Sequence, residues 1–365
     1  MADRVRVLLI APSLEILGGQ AVQAMRLLRA LRKEPSIQID FQRISPPLPA
    51  PLQFLKSIKF VRTVSGIALY TLQLLRRAWK YDILHVFSAG YTSYLFWTVP
   101  ALAVARLFRK KIILNYRDGQ AEDHLRNWRT ALPTIRMMDE IVAPSGFLVD
   151  VFARFGLKIR TISNILDMEP FLYRKRSHLR PAFLHNRILE PLYNIPCSLR
   201  AFKIVQERFP QASLVVAHDG PSRAELEQLA RDLELRNTVF IGRVPHAEIP
   251  KVYDQADIYF TSPDFDCMPG SILECFSSGL PVVATNAGGI PYIAENEVTA
   301  LLVPRGDHEA MARAAFRLLE DSSLVERLTA HAYESCSRYT EEPARRQWTA
   351  LYHQLMGRGC AEPRR

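Results

Sequence analysis

The stretch Ser262–Thr285, SPDFDCMPGSILECFSSGLPVVAT, constrains this chain more than any other. A strand-like run, Asp257–Thr261, leads into it, and a loop with Asp264 and Asp266 follows. Met268-Pro269-Gly270-Ser271 then opens a helix that carries Glu274 and stops at Gly279, and Pro281–Thr285 returns as a buried apolar strand. Strand, helix and strand in so short a span make a βαβ unit, which commits the chain to a parallel sheet covered by helices. The helix N-terminus then lies at the carboxyl edge of the sheet, where free amide N–H groups favour an anion. Pro suits a first helical turn, and Gly270 lets a ligand approach the main chain closely. A carboxylate beside bound phosphate would repel it. Glu274 is better placed to accept two hydrogen bonds from a neutral vicinal diol, such as a ribose. A sugar nucleotide fits both halves of that description.

The same alternation runs along the chain. Val5–Ala11 reads as a buried strand, followed by Gly18-Gly19-Gln20 and an apolar-periodic helix over Ala21–Leu31. That is how a Rossmann half opens, and the glycine turn is its expected contact with a diphosphate. Ile37–Arg43, Asp82–Phe87, Lys111–Tyr116 and Glu140–Pro144 supply further strands. Tyr91–Phe108 is strongly apolar, but Pro100 and Arg106 interrupt it, so a core helix is expected rather than a membrane span. The polar, basic segment Asp167–Arg180 reads as a linker. Strands then recur at Ala182–His185, Ser213–His218, Val239–Ile241, Asp257–Thr261, Pro281–Thr285 and Ala300–Val303, with helices between them. The expected fold class is α/β, with doubly wound parallel sheets in two domains. The first covers 1–166, the linker 167–180 and the second 181–341, and a last amphipathic helix lies within 342–358.

A length of 365 residues lets each domain bury its own core. Charge is uneven: residues 1–183 carry a formal +15, and the rest of the chain −5. The basic half therefore faces something anionic, and a membrane surface is preferred. Nucleic acid is disfavoured, because no zinc spacing, RNP-like strand or basic coiled coil appears. Within the helical stretch Leu52–Lys80, Lys56, Lys59, Arg62, Arg76, Arg77 and Lys80 sit among apolar residues and Trp79. Two readings stay open for it: a solvated basic face over core residues, or an interfacial membrane helix. Five cysteines, odd in number and without a C-x-x-C pair, point to reduced thiols in a cytoplasmic setting. Val5–Ala11 is too short for a secretory signal and contains Arg6. A cytoplasmic protein, peripheral at the inner face of a membrane, is the expectation.

Several of these motifs resemble glycosyltransferase family 4, retaining enzymes of the GT-B fold. The family shows an acid, seven residues, then a Glu on a helix ending in Gly-Leu-Pro-Val-Val; here the pair is Asp266 and Glu274. Ala287-Gly288-Gly289-Ile290-Pro291, Leu301–Asp307, Arg187, Asn194, His218-Asp219-Gly220-Pro221 and Gly242-Arg243-Val244 are also similar. The likeness runs from Val5 to about Tyr352, and its C-terminal half is the specific part. It implies two facing Rossmann-like domains, a cleft between them, and a last helix that crosses back to the first.

The resemblance also implies roles. Glu274 would hold the donor ribose, and the turn Gly242-Arg243-Val244 the nucleobase edge. Gly270, Ser271, Ile272 and Leu273 at the helix start, Gly18 and Gly19, and Arg187 would take the diphosphate. Asp266 would accept hydrogen bonds from the donor sugar, with Asp264 a weaker rival. Departures are visible too. Leu192 stands where most relatives carry a Lys, His218 where Gly is more usual, and Arg117 where a His lies near the donor sugar. An Arg cannot act as a general base near neutrality. Retaining transfer does not strictly require one, because the leaving phosphate can take the acceptor's proton. Asp266 and Arg117 are therefore the catalytic candidates. His85, His124 and Cys267 read as packing residues. Asp264-Phe265-Asp266 would hold a metal in a different fold; metal-independent chemistry without a cofactor is favoured. The leading reading is transfer of a hexosyl group from a UDP-sugar to a glycan, lipid-linked or small-molecule acceptor. A binding protein without transferase activity and a nucleotide-sugar epimerase are the alternatives.

Overall fold

The computed structural model describes residues 4–13, 19–46, 59–176, 178–245 and 247–357. The chain divides into two units, Met1–Ile165 with Glu341–Arg365, and Leu166–Thr340. The strands of the first unit are β1 (Val5–Ala11), β2 (Ile37–Arg43), β3 (Ile83–Ser88), β4 (Lys111–Tyr116), β5 (Glu140–Ala143) and β6 (Arg160–Thr161). All pair in parallel, in the order β2-β1-β3-β4-β5-β6. β1 is buried at every position except Arg6, whose guanidinium bonds Asp82 at 2.7 Å. Helices on both faces explain why such strands read as unbroken apolar runs.

The apolar segment after β3 is helical from Tyr91 to Leu107, with a π-turn at Tyr94–Thr98 just ahead of Pro100. Pro100 has no N–H to donate, and the wider turn absorbs the missing helical bond. Among the described residues no helix is long and apolar enough to cross a membrane. The helix Glu341–Leu355 belongs to the first unit. Its Ala344, Trp348, Leu351 and Tyr352 form one buried stripe in the cluster holding Val7, Leu9, Leu27 and Ile83.

The second unit has β7 (Ala182–Asn186), β8 (Ser213–Ala217), β9 (Thr238–Gly242), β10 (Ile258–Thr261), β11 (Val282–Thr285) and β12 (Leu301–Val303). Again all are parallel, in the order β12-β11-β10-β7-β8-β9. Strand order reverses between β7 and β10, and ligands of open α/β sheets bind at such a switch point. Residues 167–180 lie in this unit. Arg174 and Arg180 bond the buried Asp257 at 2.5 and 2.8 Å. The buried guanidinium of Arg176 donates to the carbonyls of Ser278, Tyr253 and Ala256 at 2.6, 3.2 and 3.2 Å. It thereby caps the helices Ile249–Gln255 and Gly270–Ser277.

Candidate functional site

β7 ends at Asn186, and Arg187 is the next residue. Its guanidinium forms an ion pair with Asp266, in the loop after β10, and lies 4.3 Å over the Tyr193 ring. Burial opposes the charge on Arg187, but Asp266 beside it more than restores the balance, so its pKa rises. The second oxygen of Asp266 accepts the Met268 N–H at 3.2 Å, and its carbonyl accepts the Gly289 N–H at 2.6 Å. Gly288 has φ +53°, and a Cβ there would sit 2.3 Å from the Asp266 carbonyl oxygen. Only glycine allows this approach. The resemblance implies phosphate for Arg187 and the donor sugar for Asp266, and the two side chains are paired with each other. Asp264 turns away, accepting from Asn194 Nδ2 at 3.1 Å. Among the described residues no group of three or more His, Cys, Asp or Glu side chains could hold a metal ion.

Gly270 and Ser271 head the helix Gly270–Ser277, and a Cβ at Gly270 would meet nothing within 4 Å. Their amide N–H groups precede the first helical bonds and point outward. The N–H of Ile272 already bonds the Pro269 carbonyl at 3.2 Å, and the side chains of Ile272 and Leu273 lie in the core. The outward-pointing amides of this helix start are thus those of Gly270 and Ser271. Glu274 is half-buried one turn on, and the Tyr253 hydroxyl donates to its Oε2 at 3.1 Å. Asn186 Nδ2 donates in turn to that hydroxyl at 3.2 Å. Tyr253 carried no signal in the sequence. Asn186 had one, standing directly before Arg187 at a strand end.

Two turns flank this centre. Gly242 closes β9 at φ +71°, and its carbonyl accepts the His218 N–H at 2.7 Å. Arg243 is exposed, and Val244 packs on the core. His218 itself adopts φ +112°, a conformation suited to glycine. A Cβ at Gly220 would lie 2.4 Å from the Leu189 carbonyl, so the turn after β8 packs tightly on the segment after β7.

In the first unit, Gly19 is the exposed first residue of the helix Gly19–Arg32, and Gly18 lies outside the described residues. Arg117 follows β4 directly. Its Nε donates to Asn115 Oδ1 at 3.0 Å and its Nη1 to Asn164 Oδ1 at 2.6 Å, with the guanidinium 4.4 Å over Phe87. Asn115 then has only its NH2 to offer His85 Nε2, 3.1 Å away. His85 is therefore protonated at Nδ1, which donates to the Tyr352 hydroxyl at 2.7 Å. Burial first, and Arg117 second, push its pKa well below the ordinary value. His124 is also buried, bonded to the Tyr116 hydroxyl at 2.9 Å. Cys197, Cys267, Cys275 and Cys336 form no disulfide and are buried; Cys360 lies outside the described residues.

Residues 179–335, nearly the whole second unit, match the family described as glycosyl transferases group 1. The match covers less than half of the chain. Among curated proteins, the chain is 27% identical over 283 residues to the sulfoquinovosyl transferase of Arabidopsis thaliana, covering 71% of this chain and 54% of that protein. To the N-acetyl-alpha-D-glucosaminyl L-malate synthase of Bacillus anthracis it is 24% identical over 237 residues, 61% of each. It thus spans little more than half the length of these relatives. Among solved structures, Anabaena HepE, described in complex with UDP and glucose, superposes with a TM-score of 0.75 at 17% identity, covering 95% of this chain and 99% of that one. The sucrose-phosphate synthase of Thermosynechococcus elongatus gives 0.77 at 18% identity, covering 97% and 100%. At such identity these two establish the fold, a pair of Rossmann-like domains of the GT-B class. Arg187, Asp266, Gly270, Ser271 and Glu274 all lie within the matched residues, about the switch point of the second sheet.

Proposed function

We propose that the protein is a retaining, metal-independent glycosyltransferase that moves a hexosyl group from a UDP-sugar to a glycan, lipid-linked or small-molecule acceptor. One observation carries this reading: a guanidinium, an open helix start and a half-buried carboxylate converge at the switch point between β7 and β10. Arg187 and the Gly270 and Ser271 amides supply donors for the diphosphate, and Glu274 accepts from the ribose diol. As the bond from anomeric carbon to diphosphate oxygen breaks, charge grows on the leaving group, and preorganised donors stabilise that charge. The acceptor oxygen bonds the anomeric carbon on the face the leaving group vacates, and its proton passes to the departing phosphate. Asp266 orients Arg187 and, through it, the phosphate beside the reacting carbon. Arg117 serves as a fixed hydrogen-bond donor. The group 1 match and the complex described for HepE support the donor class.

Replacing Glu274 by Ala is expected to weaken UDP binding by at least about a hundredfold, the loss of two charge-assisted hydrogen bonds, read by calorimetry. Unchanged affinity would reject the role. Assays of transfer and of donor hydrolysis separate a transferase from a protein that only binds its donor.

The acceptor side is proposed to work against an anionic membrane. In the helix Lys59–Arg77 the outward stripe is apolar, with Val64 50% and Leu72 42% exposed and Ala68 between them. The stripe runs on to exposed Arg76, then to Trp79, 57% exposed, and Lys80, whose ammonium lies 5.4 Å from that ring. The first unit as a whole carries a formal +15. Apolar side chains beside an aromatic and basic end suit the interface of an anionic bilayer. Lys56 lies outside the described residues, and so do the side chains of Lys59 and Arg62. Flotation with phosphatidylglycerol vesicles at low salt is expected to carry the protein up, and failure to float discards this part.

A further inference from the structure

The reading above makes Glu274 a diol acceptor, and what aims it comes from outside its own helix. Tyr253 stands on the helix Ile249–Gln255, wholly buried between Phe171, with ring centroids 5.7 Å apart, and Tyr259, 6.2 Å away. Its hydroxyl is the one polar atom it brings to this apolar setting, and a buried hydroxyl without partners is costly. Here it has two. It accepts from Asn186 Nδ2 at 3.2 Å and donates to Glu274 Oε2 at 3.1 Å. The direction of each bond is fixed by chemistry. A carboxylate only accepts, so the hydroxyl proton points to Glu274, and the lone pair left over faces the amide. Asn186 is itself anchored, because the Tyr259 hydroxyl donates to its carbonyl at 3.2 Å. Burial and the nearby Glu274 carboxylate both raise the Tyr253 pKa, which keeps the hydroxyl a neutral donor.

We infer that Tyr253, held by Asn186, is a positioning residue that fixes the rotamer of Glu274 and so sets the protein's discrimination between ribose and deoxyribose nucleotides. This rests on the proposed ribose contact. A Glu side chain has three rotatable torsions, and an exposed one would have to freeze them when the diol binds. The Tyr253 hydroxyl occupies one lone pair of Oε2 beforehand. It leaves Oε1 and the second lone pair of Oε2 to span two adjacent hydroxyls. Asn186 also directly precedes Arg187, so one strand end sets both the diphosphate cation and, through Tyr253, the ribose acceptor.

The test compares UDP with 2′-deoxy-UDP by calorimetry on Tyr253→Phe, which keeps the ring and removes only the hydroxyl. UDP affinity is expected to fall about tenfold and that for 2′-deoxy-UDP about twofold, so the ratio between them narrows about fivefold. A role confined to packing would weaken both ligands equally; an unchanged ratio overturns the inference. Asn186→Ala leaves the aromatic core intact and provides the same reading if Tyr253→Phe does not fold. It is expected to narrow the ratio about twofold, and an unchanged ratio here also overturns the inference. Glu274→Ala separates the two levels. If it leaves UDP affinity unchanged, the ribose reading itself falls. If it abolishes binding while Tyr253→Phe matches the wild type, only the positioning role does.

Discussion

Each unit places an arginine directly after a central strand, over an aromatic ring, and sets a buried histidine on a strand nearby. Arg117 follows β4 and lies over Phe87; Arg187 follows β7 and lies over Tyr193. His85 and His185 are both fully buried, and in each case burial, then the arginine, lowers the pKa. The partners differ. Arg187 meets the carboxylate of Asp266, whereas Arg117 donates to the amide oxygens of Asn115 and Asn164. His85 has both ring nitrogens bonded, and His185 has neither. Similar backbone positions therefore serve different ends: the first unit ties its arginine to neutral partners in a network that runs down to Tyr352, and the second forms an ion pair at a sheet's switch point.

The largest expected effect tests that contrast directly. Arg187→Met strips the guanidinium from a largely buried carboxylate, and losing one partner of such a pair costs about 3 kcal/mol. UDP affinity should fall about a hundredfold as well, through the lost diphosphate donor. Arg117→Met removes hydrogen bonds to neutral amides, leaves no unpaired charge behind and should cost less, about 2 kcal/mol. Urea unfolding of both variants, with calorimetry on the first, measures the gap; equal costs would erase the distinction.

The histidines sharpen it further. His85→Leu leaves the Asn115 amide and the Tyr352 hydroxyl without a ring to bond, at a cost of about 2 kcal/mol at neutral pH. His185→Leu breaks no hydrogen bond and should be near neutral there. The two diverge from each other again in acid. His185 titrates near 6.5 when unfolded and at about 3 when folded, so the unfolded state binds more protons between those values. Stability is thus full above pH 6.5 and falls as the pH drops, approaching about 1.4 kcal/mol per pH unit from this residue. His185→Leu should remove that slope between pH 6.5 and 5, above the range where carboxylates dominate. An unaltered slope in urea unfolding would count against a neutral, buried His185.

The βαβ unit around Ser262–Thr285 was legible because alternation of apolar runs with a helical period reports burial, and burial is what the sheet and its covering helices impose. The positions of Asp266 and Glu274 at the sheet edge followed from a strand end and a helix start, while Arg187 was singled out by the family resemblance. Which of the three bond each other did not follow. Arg187 and Asp266 are 79 residues apart, and their pairing depends on β7 and β10 lying side by side, a tertiary fact. Tyr253 looked like any apolar helix residue, because periodicity registers its ring and not its hydroxyl. The segment 167–180 read as a linker because it is basic and irregular; three of its arginines are committed to Asp257 and to helix ends that no local pattern reveals.

Backbone strain offers the smallest and most local comparison. Each sheet edge holds a non-glycine residue at positive φ: Tyr91 at +57° after β3 and His218 at +112° after β8. Tyr91 has compensation. Its hydroxyl bonds Asp123 at 2.7 Å, and its ring lies 5.3 Å from His124 and 5.8 Å from Trp128. Tyr91→Gly should therefore destabilise, by about 1 to 2 kcal/mol once those contacts are set against the relieved strain. His218 lies farther from the left-handed helical well, where a Cβ is harder to accommodate, and its ring bonds only the adjacent Asp219 main chain. His218→Gly should stabilise by about 1 kcal/mol, the strain relieved less the added freedom of the unfolded chain. Opposite signs in thermal unfolding are the expected outcome. If His218→Gly destabilises instead, the ring has a partner worth more than the strain.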